Sequence, residues 1–579
     1  MRAELSGWRA ILICASLFLM PAWGLAATKE APKYVGAPPL STVVATPVGA
    51  VASGPVQVPI ITWGGDIATI HANGNTKSTE KNSLFGKLGL DLRLVREDVF
   101  SKQLEAYLSG KSPYLRGTLA MIHMASEVAS TDPRTKPVVI YQMTWSAGGD
   151  ALVVKGNVRT AKDLKGKTIA LQAYGPHVDY LAKVLADAGL SMKDVHLKWL
   201  PDLTGSANAP AAAMRDPAVD AALAIIPDAM ALSSNGTVGT GAEDSVKGAR
   251  ILLSTKTASR IISDVYAVRA DYLQSHRAQV ESFVRGLLQG DEALRQLVAA
   301  KVARAAEFGL VMRNAAQILL DSPQAVNDVE GMYNDASFIG LAGNQSFFTK
   351  ANQPRGFAQL NQEIQSALGA IGLVKRAVSL DHANWDYGRL SGNLKQTAES
   401  EAPRFDSGQV AAIVTRKQQQ GKLTEGELFS FEVLFKPNQD SFPSDTYKDA
   451  FKQVVNLATT YAGAVITVEG HSDPLGYLRA KKEGVPAVAL SRTQQAAKNL
   501  SLARATAVRD SVIAYARGRG ISLDKSQFAL IGHGILQPRS GLCGSDPCAP
   551  KTEQDWLANM RVEFRIIQIE AEASAFKPL

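Results

Sequence analysis

Between residues 57 and 390, apolar positions recur in two alternating patterns. One is the short run of branched and aromatic side chains that suits a buried strand. It occurs at 90–98, 118–124, 136–145, 151–156, 167–175, 195–201 and 219–226. The other is the helical stripe, carried by 99–110 and 176–190. In the second of these, Val178, Leu181, Ala182 and Leu185 fall at i, i+3, i+4 and i+7. Strands alternating with helices predict an α/β domain with a mostly parallel sheet. A segment this long exceeds one core, so two lobes with a cleft between them are expected.

Two stretches break the pattern. Residues 31–56 are rich in Pro, Gly, Ala and Val, and the polar stretch 391–425 lacks any apolar period. Both read as linkers. The N-terminus has Arg2 and Arg9, then the apolar run "AILICASLFLM", Pro21, and small residues at Gly24 and Ala26. This is the layout of a secretory signal peptide. Bulky Ile13 before Cys14 argues against lipidation. The expected organisation is therefore a signal peptide at 1–26, a Pro/Ala-rich linker at 27–56, a two-lobed domain at 57–390, a linker at 391–425 and a last domain at 426–572.

Composition narrows the function classes. The chain has 579 residues, 46% apolar and 20% charged, as expected of a globular protein of several domains. The net charge of +8 is mild for this length. No Lys/Arg run or Arg-Gly-aromatic signature appears, so no nucleic-acid partner is expected. Of three cysteines, Cys14 lies in the signal segment. Cys543 and Cys548 share the loop "CGSDPC". In an exported protein they are expected to form a disulfide, since Asp546 alone does not complete a metal site.

The first domain offers candidate ligand contacts at strand ends. "ITWGGDI" places Trp63, Gly64 and Gly65 after the first strand, and "TWSAGGDAL" places Ser146 and Asp150 at another. In "LQAYGPHVDY" a strand ends at Gln172, Gly175 turns the chain, and Pro176 suits a helix start. Tyr174 and His177 flank that start, whose free N–H groups suit an anion. Asp228 sits at a further strand end. Asp66, Asp150 and Asp228 would suit an amine, so the residues leave the solute open. Packing and capping are the competing roles for Trp63, His177 and the aspartates.

The stretches "SLFGKLGLDLRLV", "AYLSGKSPYLRGTLAM", "TAKDLKGKTIALQAYGPHVDYLAKVLADAGL" and "SDVYAVRADYLQSHRAQVESFVRGLL" resemble the type II periplasmic solute-binding proteins, especially the nitrate/sulfonate/taurine group. The resemblance implies two α/β lobes that close on a small solute by a hinge motion.

From about 426 the pattern changes to "GELFSFEVLFKPNQDSF", "AVITVEGHSDP", "LSLARATAVRDSVIAYARGRGI", "FALIGHGILQP" and "LANMRVEFRIIQ". In this order the blocks resemble the OmpA-like peptidoglycan-binding domain. The resemblance implies that Asp473 of "GHSD" and Arg504 of "LSLARA" clamp diaminopimelate of the peptidoglycan stem peptide, with Asn438 touching the same stem. The chemistry is consistent: an acid receives the ammonium and an Arg holds the carboxylate of one zwitterionic carbon. Read from spacing alone, Arg504 could equally be an exposed salt-bridge residue on a helix striped by Leu502, Ala505, Val508 and Val512. Glu469 is expected to face outward or pair locally, and His471 to be a turn or packing residue. Two departures from the family stand out. The segment 476–499, with Arg479, Lys481, Lys482 and a second "LSR" at Arg492, widens the gap between the clamp residues. Met560 replaces the first of two consecutive arginines before Arg561.

These readings predict an α/β protein: a two-lobed type II periplasmic-binding-protein fold followed by an α/β OmpA-like domain. The expected function is non-enzymatic binding of a small solute by a protein anchored to peptidoglycan, in the periplasm of a Gram-negative bacterium near the outer membrane. The alternative is a receptor of an ABC importer for a nitrate-, sulfonate- or phosphate-type anion, with a permease partner and incidental wall binding. An enzyme is disfavoured, because Ser472 lacks a nucleophile-elbow pattern and no paired-carboxylate or Cys/His motif appears. No cofactor or metal is expected.

Overall fold

The computed structural model describes residues 31–350, 353–392, 394, 405–421 and 430–567. The signal peptide expected at 1–26, residues 393, 395–404 and 422–425 of the linker expected at 391–425, and the outer ends of the last domain lie outside the described residues. The rest of that linker carries the helix Ser407–Gln419, whose Val410, Ile413 and Val414 are buried with Val465, so it is not a free linker. Among the described residues, no helix is long and apolar enough to cross a membrane.

Two lobes form the first domain. In one, a five-stranded sheet runs in the order Ala336–Phe338, Pro137–Ser146, Ser263–Arg269, Tyr114–Thr118, with Asp381–His382 also paired to Pro137–Ser146. The parallel pair Val56–Ile60 and Leu92–Arg96 stands beside it. In the other lobe the order is His196–Leu200, Thr168–Gln172, Ala221–Ile225, Asp150–Val154, Arg250–Ser254. The chain passes between the lobes at 146–150 and again at 254–263, so two short segments form the hinge.

The sheets are mixed, not mostly parallel. Strands joined through helices, such as Thr168–Gln172 and His196–Leu200, are parallel. Asp150–Val154 enters its lobe straight from the other one, without a crossover helix, and is antiparallel to both neighbours. A second difference concerns 118–124. Only Thr118 belongs to a strand, and the rest opens the helix Leu119–Ala129, in which every residue but Val128 is buried. A helix apolar on all sides shows no 3.6 period and is easily read as a buried strand. Thr118 starts it by accepting a hydrogen bond from the Met121 N–H at 3.2 Å.

The Pro- and Ala-rich segment expected to be a free linker is fastened to both lobes. Val35 bridges to Trp199, and Tyr174 donates its hydroxyl to the Pro38 carbonyl at 2.5 Å in the second lobe. Leu40 is fully buried. Gly49 donates to the Leu108 carbonyl and accepts from Arg269 at 3.0 Å in the first lobe.

The last domain has a four-stranded sheet in the order Ser430–Leu434, Arg561–Ile567, Val465–His471, Phe528–Gly534. Lys448–Thr460 and the long helix Ala487–Arg517 cover it. The helix runs so close to the sheet that a Cβ on Gly470 would overlap the Ser501 carbonyl oxygen. The two domains are joined by contacts as well as by chain. Arg260 N–H donates to the Thr460 carbonyl at 3.2 Å, and Gly463 N–H to the Thr257 carbonyl at 3.1 Å. Both partners in the first domain lie on the second hinge segment.

Candidate functional site

Residues from both lobes and both hinge segments meet in one polar cluster. From the first lobe come Trp63 and the buried ion triad in which Arg116 bridges Asp66 at 2.8 Å and Asp264 at 2.9 Å. Thr144 links them, donating to Asp264 at 3.1 Å and accepting from the Trp63 indole N–H at 3.0 Å. At the first hinge, Ser146 donates to Asp150 at 2.6 Å, and its hydroxyl lies 2.9 Å from that of Thr255 on the second hinge. Thr255 also accepts from the N–H groups of Gly148 and Asp150, both at 3.1 Å. The Trp63 ring lies flush on Gly149, where a Cβ would stand 2.6 Å from it. From the second lobe, His177 Nε2 bonds Asp150 Oδ1 at 2.8 Å.

Carboxylates dominate this space. Asp179, in the first turn of the helix Val178–Asp187, is only 6% exposed, and its oxygens have no side-chain partner, only the N–H groups of Asp179 and Tyr180 at the helix start. Burial pushes its carboxyl up to about 7, opposed by the charge of Arg355. Burial likewise raises Asp66 to about 7 despite Arg116, and Asp335 to about 6, helped by the charge of Asp150. Asp264 is raised by the same cause.

Of the residues singled out from sequence, Trp63, Ser146, Asp150 and His177 come together here. Gly64 backs onto the Met332 carbonyl with no room for a side chain. Gln172, Tyr174 and Asp228 do not join the cluster's hydrogen bonds. Gln172 donates to the Pro201 carbonyl at 3.3 Å, Tyr174 holds the N-terminal strap, and Asp228 accepts from Thr204 at 2.8 Å. The sequence reading missed Arg116, Thr144, Asp179, Thr255, Asp264 and Asp335. Asp179 stood in plain view two residues after His177. The others carry no local signal, because their strands and loops converge only in the fold.

The last domain holds a second candidate site. Arg504 is 1% exposed. It is not a surface salt-bridge residue: its guanidinium donates to the carbonyls of Gln439 at 2.8 Å, His471 at 3.0 Å and Lys436 at 3.2 Å. It also lies over the Phe435 ring. Burial pushes its pKa down to about 10, opposed by Asp440 and Asp473. Asp473 accepts from the Leu475 N–H through one oxygen, and the Trp556 indole N–H also approaches its carboxyl. Burial raises its carboxyl, opposed in turn by the Trp556 and Leu475 N–H groups, Arg479 and Arg504. Asn438 sits exposed at the tip of the turn that Arg504 pins, with φ 55°. The segment 476–499 forms the helix Leu475–Lys482 and the start of Ala487–Arg517. It is tied down by Asp546, which accepts from Tyr477 at 3.2 Å and Lys481 at 2.5 Å. Asp546 lies in the loop closed by the Cys543–Cys548 disulfide. Arg492 is exposed.

Behind this site, Glu469 does not face outward. It is buried, with His533 Nε2 at 3.0 Å and Arg565 Nε at 3.1 Å. His471 stacks on His533 at 4.7 Å, and burial with the charge of Arg561 pushes it down to about 2. The ligand atoms of Glu469, His471 and His533 lie within 4.8 Å of one another. Arg565 and His533 already occupy Glu469, and Gln418 lies 3.0 Å from His533 Nδ1, so the group packs as a histidine stack beside an ion pair.

The family model described as "NMT1/THI5 like" matches residues 80–296. None of the curated proteins matches the chain. Among solved structures, the alkanesulfonate-binding protein SsuA from Xanthomonas axonopodis pv. citri, bound to MOPS, is 20% identical. It covers 57% of this chain and 100% of its own, with a TM-score of 0.37. The periplasmic aliphatic sulphonate binding protein SsuA from Escherichia coli is 15% identical over 56% of this chain and 90% of its own, with a TM-score of 0.37. The peptidoglycan-associated lipoprotein from Burkholderia pseudomallei is 18% identical over 24% of this chain and 89% of its own, with a TM-score of 0.17. The fold is a two-lobed α/β domain followed by a smaller α/β domain.

Proposed function

We propose that this protein is a periplasmic receptor that captures a small solute between its two lobes and is held to the cell wall by its last domain. The observation that carries the wall-binding half is the nearness of the Asp473 carboxyl to the buried Arg504 guanidinium, each feeling the other's charge. In this reading Asp473 receives the ammonium of diaminopimelate and Arg504 faces its carboxylate. Asn438 rides on the turn that Arg504 holds. No proton is transferred, and the protein is a binder, not an enzyme. Anchoring keeps the receptor at a high fixed concentration near its partners. Cosedimentation with purified diaminopimelate-type peptidoglycan tests this: Asp473→Ala should lose at least tenfold in affinity, and unchanged binding would overturn the clamp.

A second reading is supported by the hinge. Two short segments joining two lobes permit closure on a solute, as delivery to an ABC permease requires. Solute-dependent stimulation of a reconstituted permease would favour that role over simple retention at the wall.

A further inference from the structure

We infer that the solute cleft is built for a small organic cation, with an ammonium or amidinium group, and not for an anion. This rests on the reading of the two-lobed domain as a solute receptor.

The first argument is charge. Asp66, Asp150, Asp179, Asp264 and Asp335 are buried or largely buried in and around the cluster; of the cationic groups near them Arg116 and Arg355 are already committed, and Lys256 stands near Asp335. Arg116 is engaged by Asp66 and Asp264 together. A guanidinium held this way has no free fork to offer a sulfonate or carboxylate. His177 is taken by Asp150. Arg355 donates to the Arg260 carbonyl at 2.8 Å and to Glu363 at 2.5 Å.

The second argument is the helix start. The N-terminus of a helix is a ready anion site when its first turn is open. Here that turn carries Asp179, whose own negative charge fills the favourable field.

The third argument is what the unpartnered atoms require. Both Asp179 oxygens lack a side-chain partner, and His177 Nδ1 and the Thr257 hydroxyl are buried without a hydrogen-bond partner. They come from a helix, the turn before it and the second hinge segment. A carboxylate only accepts. His177 Nε2 faces a carboxylate and donates to it, and in the neutral ring Nδ1 is then an acceptor. Buried acceptors without donors are costly unless a ligand or water supplies N–H or O–H groups. An ammonium brings two or three N–H donors and the compensating charge, whereas an anion brings neither. The Trp63 ring, laid on Gly149 beside Asp150, adds a π-face of the kind that attracts organic cations. Burial raises the carboxyls of Asp179 and Asp335 against the opposing charges of Arg355 and Lys256.

The test is a thermal-shift screen of the full mature chain, followed by calorimetry on any hit. Probes are primary amines, diamines, quaternary ammonium ions and amidines, matched in size with sulfonates, carboxylates and nitrate. A cation should raise the melting temperature saturably. Its Kd should weaken at least tenfold in Asp179→Asn, a near-isosteric change. Calorimetry in two buffers of different ionisation heat should show proton release on binding near pH 7. A second variant, Asp150→Asn, should weaken the same cation, which guards against a local effect of Asp179 alone. Stabilisation by anions only would overturn the inference and leave the receptor reading intact. An unchanged Kd in both variants would also overturn it. Stabilisation by neither class would overturn the inference and the receptor reading together.

Discussion

Tyr461, at the end of a helix in the last domain, donates its hydroxyl to Asp187 of the first domain at 2.7 Å. Tyr461 is fully buried. Around it, Gly463 and Thr460 bond the backbone of the second hinge segment, the segment that also carries Thr255 into the solute cluster. The last domain is therefore seated on one of the two segments that join the lobes.

This seating predicts that the two domains unfold together. A Cβ on Gly463 would overlap the Lys256 carbonyl oxygen, a backbone atom that cannot easily move. Gly463→Ala should split one calorimetric transition into two, while Tyr461→Phe should cost only about 0.5–1.5 kcal/mol. A single transition retained in Gly463→Ala would show that the contact does not couple the domains.

The Arg116 triad should be essential to the first lobe. Arg116→Met would leave Asp66 and Asp264 buried without their shared counterion, at a cost of about 3–5 kcal/mol. Urea unfolding checks this. A cost near zero would mean that the two acids take up protons without penalty.

Asp179 should make stability depend on pH in a specific direction. Its carboxyl titrates at about 7 in the folded protein, against 3.8 as the reference. The folded state thus holds the proton more tightly than the unfolded state. Its favourable contribution is complete at low pH and is lost as pH rises from about 4 to about 7. Asp179→Asn removes this dependence. The variant should gain on the wild type between pH 5 and pH 8 in unfolding free energy, and parallel profiles would refute the prediction.

Wall binding should fail at a higher pH than an ordinary carboxylate would allow. Burial raises Asp473 above its reference value, and only its ionised form can hold an ammonium. As pH falls through that raised value, affinity for peptidoglycan should drop, and Asp473→Asn should be weak throughout. Cosedimentation across the acidic range reads this directly.

Much of the fold was legible because it is local. The stripe of Val178, Leu181 and Leu185 became a buried helix face. Most apolar runs became strands, and the paired cysteines became a disulfide. Gly470 in "GHSD" and the helix of "LSLARA" are legible together, since one exists to let the other pass close. The helix Leu119–Ala129 was misread because burial on every side erases the periodicity that distinguishes helix from strand.

The sequence by itself determined which residue types stand at the strand ends: a Trp-Gly-Gly turn, a Ser-to-Asp hinge, a His-x-Asp helix start and an Asp before a long helix bearing an Arg. Only the tertiary structure decided their roles. It committed Arg116 to two acids, left Asp179 without a side-chain donor, drew Arg504 inside onto three carbonyls and turned Glu469 inward. Charge, burial and hydrogen-bond satisfaction belong to neighbours far apart in the chain, so no local pattern can encode them.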